Sequence, residues 1–389
     1  MRKTLFKIHS YLALTALVPL IIVSLTGSVL VFKTEVDQFL MPEVASLEGL
    51  VSNRAAAPER MSFNELKENI EETFQDYILG SWELFNDGKE ADRVYLIKKG
   101  TDDWYKIYFD PYQNQVLSEP VSLTSYLTDW LLEIHYTFLL NGIGGEHSQW
   151  GTLLGLLAGL ALSFLGITGL IIHRKFWLQL IKLRFNKSLR TFYSDFHKLA
   201  GAWSSPVILV LGITGVYFNA IVYYHEIFEH PSEEHFTPTE KLYASEIDFD
   251  KILLSSQKHL ESFTPTYVLF PYEPEVNIMV FGYQPGVNPF ASNYSSTVTF
   301  DKKSGDYLSA ASGGDAALAT QVFDSFRELH FGSFAGLASK LFWCVLGLSP
   351  VFLGVSGAYL WLFRKSKKNR NQRRKGRDSF RGNAEQLLG

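Results

Sequence analysis

The sequence predicts an α-helical membrane protein with four spanning helices in a bundle, internally duplicated, and two small α+β inserts between the spans. Three observations carry that prediction. Residues 10–32, 151–172, 199–220 and 341–363 are each about 20 residues long and almost uncharged, the length a helix needs to cross a hydrocarbon core of roughly 30 Å. The N-terminus, the loop 173–198 and the tail from Arg364 hold 20 of the 36 basic residues but only three of the 40 acidic ones, Asp195, Asp378 and Glu385. Finally, one unit occurs twice: a histidine at the mouth of an apolar span, an insert, a second histidine, and another span. His9 and His135 stand 126 residues apart in the first copy, His197 and His330 133 apart in the second.

The charge bias puts both termini and the central loop in the cytoplasm and both inserts outside. The chain then divides into a first span (1–32), an insert (33–121), an amphipathic interfacial helix (122–149), a second span (150–173), a cytoplasmic loop (174–197), a third span (198–220), a second insert (221–316), an interfacial segment with the fourth span (317–363) and a basic cytoplasmic tail (364–389). The first span is too long for a secretory h-region and lacks a small-x-small cleavage site, so it reads as an uncleaved helix. Cys344 is the one cysteine, which excludes an intrachain disulfide, a thiolate-held iron–sulfur cluster and CxxCH haem attachment. The tail's KSKKNRNQRRKGR follows directly on a span, so it reads as a topology determinant touching anionic lipid rather than as a nucleic-acid patch.

In the first insert, Ser62 with Glu65 three residues on predicts a capping box and a helix running to about Tyr77. Strand alternation follows in DRVYLIKKG and DWYKIYFD. The second insert repeats the order, with a helix from Asp248 to Leu260, strands in PTYVLFPY and VNIMVFGYQ, and TVTFDKKSGDYL matching YFDPYQNQVL in kind. Leu127, Leu131, Ile134, His135 and Phe138 share one sector at helical spacing, and Asn141-Gly-Ile-Gly-Gly145 separates them from the second span. The second copy has no such break, which would leave His330 on the same helix as the fourth span.

Each span carries a small hydroxyl residue followed by glycine: Thr26-Gly27, Thr168-Gly169, Thr214-Gly215 and Ser356-Gly357. His9 precedes Gly27, and His197 precedes Gly215, by 18 residues. On a continuous helix that is five turns and about 27 Å, so histidine and glycine share a face at opposite rims. Two levels result. At the inner level His9 and His197 face Gly169 and Gly357; at the outer level His135 and His330 face Gly27 and Gly215. A porphyrin needs an axial ligand above and below its iron and helix surfaces bare enough to lie against, so the pattern predicts two non-covalent b-type haems. One such glycine alone means close helix packing, and one rim histidine an interfacial polar residue; four at repeated positions favour ligation. His173 rivals His9 as partner of His197, and His147 could replace His135. His225 falls outside the core, and His230, His235 and His259 have no repeat partner. Arg174 and Arg364 follow spans two and four at equivalent positions, where either suits a haem propionate or plain interfacial anchoring beside Trp177 and Trp361.

In H9-S-Y-L, L-L-E-I-H135, H197-K-L-A-G, L-H330-F-G-S-F-A-G, the hydroxyl–glycine pairs and the strand–turn–strand elements, the chain resembles the PepSY-associated transmembrane family of iron-regulated membrane proteins. The resemblance covers nearly the full length, and the two inserts look like PepSY-type modules. The functional group it most resembles is the ferric-siderophore reductases of the bacterial inner membrane, which hold two b haems between four helices. That implies a haem-dependent oxidoreductase passing electrons to a ferric siderophore or other ferric chelate in the periplasm and releasing Fe(II). No nucleotide, flavin or phosphate-cradling loop is visible, so quinol or a separate reductase would be the donor. The competing classes are a haem subunit for another periplasmic oxidant, an iron or siderophore transporter, which would show broken helices or mid-membrane charge, and a regulator acting through its inserts.

Overall fold

The computed structural model describes residues 2–47, 59–145, 147–173, 175, 183–185, 187–229 and 236–367. In chain order they form α1 (Arg2–Thr15), α2 (Leu17–Leu30), α3 (Lys33–Leu40), α4 (Pro42–Ala45), α5 (Phe63–Thr73), β1 (Tyr77–Glu83), β2 (Asp92–Lys98), β3 (Trp104–Asp110), β4 (Gln115–Val116) and β5 (Val121–Ser122). There follow α6 (Leu127–Thr137), α7 (Trp150–Ile172), α8 (Leu189–Tyr224), a π-helical turn (His225–Glu229), α9 (Phe249–His259), β6 (Thr264–Leu269), β7 (Ile278–Tyr283), β8 (Ser296–Phe300), β9 (Tyr307–Ala311), α10 (Leu318–Phe331) and α11 (Gly336–Lys367). Two compact units result. One gathers Met1–Ser28, Ile134–Tyr223 and Leu341–Gly389; the other gathers Val29–Glu133 and Tyr224–Lys340.

The first unit holds the apolar helices. Among the described residues three are long and apolar enough to cross a membrane: α7, α8 (with its π turn) and α11. The first span is not the continuous helix that its composition suggests. It breaks at Ala16 into α1 and α2, which meet at 65°. Pro19 lacks the N–H that would reach Thr15, and its ring crowds that carbonyl. The Thr15 hydroxyl also donates back to Tyr11 O at 3.2 Å and Leu12 O at 3.0 Å, a bond that bends helices. Counted as one bent span, the pair brings the number to four. Pro206 stands inside α8, yet α8 runs unbroken for 36 residues and begins at Leu189, well ahead of the expected start. Glycines let α7 and α8 approach closely: a Cβ on Gly212 would lie 2.5 Å from Ser163 Oγ, and one on Gly159 3.0 Å from Val216.

In the second unit the inserts do not form two separate modules, as the sequence suggests. They fuse into one antiparallel sheet of nine strands, ordered β4-β3-β2-β1-β6-β7-β8-β9 with β5 against β3. The join is β1 with β6, in register Ser81↔Leu269, Trp82↔Val268 and Glu83↔Tyr267. Each insert alone would leave that strand's backbone groups unpaired at an edge; pairing removes both edges at once. Side chains from both inserts share one core, with Phe63, Trp82, Phe249 and Phe270 all buried. Rings of Phe63 and Trp82 sit 4.7 Å apart, and those of Phe249 and Phe270 5.2 Å. The helices cap each other as well. Ser62 makes no capping bond to its own helix; instead Asp250 accepts from Phe63 N at 2.7 Å and Asn64 N at 3.3 Å. Asn64 returns the favour by accepting Phe249 N at 2.9 Å. A charged cap from the other copy has displaced the local one that the sequence offered.

The second copy does have a break before its span. Gly332 ends α10 in the left-handed conformation (φ 69°), its N–H closing on Glu328 O at 2.9 Å, so His330 lies on α10 and not on α11.

Candidate functional site

His9 lies in α1 and His197 in α8, each on the stretch of helix ahead of the proline. Both reach across to the hydroxyl–glycine pair of a neighbouring helix. His9 Nδ1 is 2.8 Å from Thr168 Oγ1, and His197 Nδ1 is 2.9 Å from Ser356 Oγ; the two contacts span the same 159 residues of chain. Beyond each hydroxyl comes the glycine. A Cβ on Gly169 would lie 3.8 Å from His9 Cε1, and one on Gly357 would lie 3.3 Å from His197 Cε1. The first is ordinary contact and the second is tight.

Both imidazoles line one cavity of about 1400 Å³, counting its open mouth. Leucines such as Leu14, Leu17, Leu165 and Leu353 supply its walls, and His173, Lys198 and Arg364 stand among its lining residues. The Arg364 guanidinium rests 4.7 Å over the ring of Phe6. Neither Arg364 nor Lys198 has an ion pair among the described residues. Asp195, two residues before His197, is taken up by Arg184 at 2.7 and 3.0 Å, which pins the start of α8. His173 ends α7, its N–H bonded to Gly169 O at 3.0 Å. Its ring has no side-chain hydrogen bond among the described residues. Arg174, the other candidate for a propionate, lies outside the described residues, as do Trp177, His230 and His235.

At the expected outer level, His135 Nδ1 is 2.9 Å from Thr26 Oγ1. Its Cε1 lies 2.8 Å from where Gly27 would carry a Cβ, so only glycine leaves that ring in place. His330 stands near the end of α10, its ring 6.0 Å from Phe331. Thr214 donates its hydroxyl to Val210 O at 2.7 Å, and the next residue, Gly215, accepts Asn219 Nδ2 at 3.1 Å.

Sequence reasoning missed the residues that dock α6. Phe138 and Leu139 adopt positive φ (53° and 58°) to turn the chain just after α6. Asn141 Oδ1 then accepts Gly151 N at 2.9 Å and Thr152 N at 3.1 Å, capping α7. The Thr137 carbonyl lies only 1.6 Å from the Cβ position of Gly151. The Asn141–Gly145 segment was legible as a break but not as a clamp, because its partners sit in the following helix. Among the described residues no three His, Cys, Asp or Glu side chains gather as a metal cage. The chemistry on offer is paired imidazoles.

A family model of the PepSY-associated TM region matches residues 6–364. The chain belongs to the PepSY-associated transmembrane family. Nearly the whole of this PepSY-associated membrane protein is covered, from just before His9 to Arg364. It is also similar to an uncharacterized protein of Pseudomonas aeruginosa, 25% identical over 238 residues, or 56% of this chain and 60% of that one. The alignment thus spans about 60% of that relative's length.

Proposed function

We propose that this PepSY-associated membrane protein is a di-haem b electron-transfer protein of the bacterial inner membrane. In this reading it is a ferric-chelate reductase, with ferric siderophores as substrate class, acting at the periplasmic face to release Fe(II). One observation carries the reading: His9 and His197 line the same apolar cavity, each imidazole resting on a hydroxyl and a glycine of the opposing helix.

The residues fit haem. Two imidazoles are the axial donors that b-type iron takes. Apolar walls suit a macrocycle and exclude water, and the cations of Arg364 and Lys198, without an ion pair among the described residues, suit its carboxylates. His9 and His197 would hold the inner group, with Gly169 and Gly357 leaving room for the rings; His135 and His330 would hold the outer group, with Gly27 and Gly215 in the same role. When bound, haem supplies one-electron chemistry that no side chain here can. The substrate step is reduction of Fe(III), whose hard oxygen ligands hold Fe(II) less well. Quinol or a separate reductase would be the donor. The K/R bias supports four spans with both termini cytoplasmic and the fused sheet periplasmic.

A second reading has an observation in its favour. The break between α1 and α2 is the kind of discontinuity that an iron or chelate transporter uses. The absorption spectrum separates the two. Purified protein should show a reducible Soret band, split α/β bands, and two haems per chain; a colourless protein would sink the haem reading and leave transport. Stopped-flow oxidation of the reduced protein by ferric siderophores then tests the substrate class. Slow reaction with every ferric chelate but fast reaction with another oxidant would make it a haem subunit for a different acceptor.

A further inference from the structure

Each hydroxyl beside a histidine carries a single proton, and each has a backbone carbonyl of its own helix within reach to take it. Thr168 Oγ1 donates to Phe164 O at 2.8 Å, Thr26 Oγ1 to Ile22 O at 2.8 Å, and Ser356 Oγ to Leu353 O at 3.2 Å. A hydroxyl whose proton is committed to a carbonyl has only lone pairs left to offer. The atoms that meet those lone pairs are Nδ1 of His9 at 2.8 Å, of His135 at 2.9 Å and of His197 at 2.9 Å. Two lone pairs at that distance repel, so each Nδ1 must bear hydrogen and donate it. In a neutral imidazole the other nitrogen, Nε2, then holds the free lone pair.

We propose that Thr26, Thr168 and Ser356 are positioning residues that fix His135, His9 and His197 in the Nδ1–H tautomer, which makes Nε2 the nitrogen that would ligate a metal. The inference rests on the haem reading for what Nε2 ligates, but the tautomer itself does not depend on it. The ordinary account of a hydroxyl in a membrane helix is that it bonds its own backbone, as Ser163 does to Gly159 O at 3.0 Å. That account explains the hydroxyl's proton but not why three separate hydroxyls of this kind face a histidine Nδ1; the His135 and His197 rings also have the backbone of Val23 and Leu353 as hydrogen-bond partners. Donation from Nδ1–H to an acceptor also makes Nε2 the stronger base and holds the ring's orientation. His173, which lacks such an acceptor among the described residues, is then the weaker claimant to a ligand role than His9.

Two measurements test this. In haem-free full-length protein labelled with nitrogen-15 at histidine, His9, His135 and His197 should show protonated Nδ1 and unprotonated Nε2. Thr168→Val, which keeps the shape and removes the acceptor, should release His9 to a mixture of tautomers, and Thr168→Ser should restore it. In haem-loaded protein, Thr168→Val should weaken inner-haem binding by about 10–100-fold and raise its midpoint potential. A tenfold loss of ferric over ferrous preference corresponds to about 59 mV for one electron. Ser356→Ala, which removes only an oxygen atom, carries the same expectation for His197 should Thr168→Val not fold. An unprotonated Nδ1 in the parent, or a Thr168→Val protein unchanged in tautomer and potential, overturns the proposal. Equal losses in Thr168→Val and Thr168→Ser would also overturn it, since shape rather than the hydroxyl would then be at work. A parent that binds no haem but shows the Nδ1–H tautomer overturns the haem reading and keeps the positioning.

Discussion

The two units join the halves of the chain in opposite ways. In the helical unit the histidine contacts stay within each half: His9 meets Thr168 within the first, and His197 meets Ser356 within the second. The two halves then meet around a cavity. In the sheet unit the halves are interleaved, with β1 paired to β6, Asp250 capping the other copy's helix, and one shared core without a division. The helical unit thus keeps its histidine contacts within each half although α7 and α8 pack closely; in the sheet unit the halves share strands, caps and core.

The largest effect should come from Gly151→Ala. The new Cβ would lie 1.6 Å from a backbone carbonyl that cannot swing away, so folded protein should be lost from detergent extracts. Next come His9→Ala and His197→Ala. Each should remove the inner haem and halve the haem count per chain, whereas His173→Ala should leave two; loss of haem on changing His173 with retention on changing His9 would reverse the assignment. The glycines should then rank by clearance. Gly27→Ala drives into His135 at 2.8 Å and should disturb the outer spectrum most, Gly357→Ala meets His197 at 3.3 Å, and Gly169→Ala at 3.8 Å should be nearly silent. In the sheet unit, Asp250→Ala removes the cap on the partner helix and should cost about 0.5–2 kcal/mol in chemical denaturation, with the haem spectrum unaltered. The smallest effect concerns Asp248, whose carboxyl is held down to about 2 by hydrogen bonds from Lys251 and Asn64. A folded value below the ordinary carboxylate range stabilises above about pH 4, and that contribution is lost as pH falls through about 2. The difference in urea midpoint between the parent and Asp248→Asn should therefore shrink between pH 5 and pH 2; a constant difference would refute it.

Much of this was readable from composition and period. Long uncharged runs marked the apolar helices, and the two-level pattern set three of the hydroxyl–glycine pairs against the histidines that meet them. What escaped reading was set by contacts remote in sequence. The break at Ala16 arises from Pro19, yet Pro206 leaves α8 unbroken, so proline alone does not announce a break. With α1 and α2 meeting at 65°, the five-turn geometry between His9 and Gly27 fails, while along unbroken α8 it holds for His197 and Gly215. His9 still finds Thr168 at the same chain separation as its counterpart. The repeated element is thus the contact rather than the helix that delivers it. The capping box at Ser62 was a sound local reading overridden by Asp250, whose position relative to α5 no window of sequence displays.

The β1–β6 ladder also sets an order of assembly. Tyr77–Glu83 is made long before Thr264–Leu269, with two spans between them. At 5–20 residues per second, β1 waits on the order of ten seconds or more for its partner. During that interval the first insert presents an open strand edge, and Trp82 and Phe63 lack the Phe249 and Phe270 rings that complete their core. Truncation after α8 would make that state permanent, so such a chain should be held by chaperones or degraded rather than accumulate as a folded half.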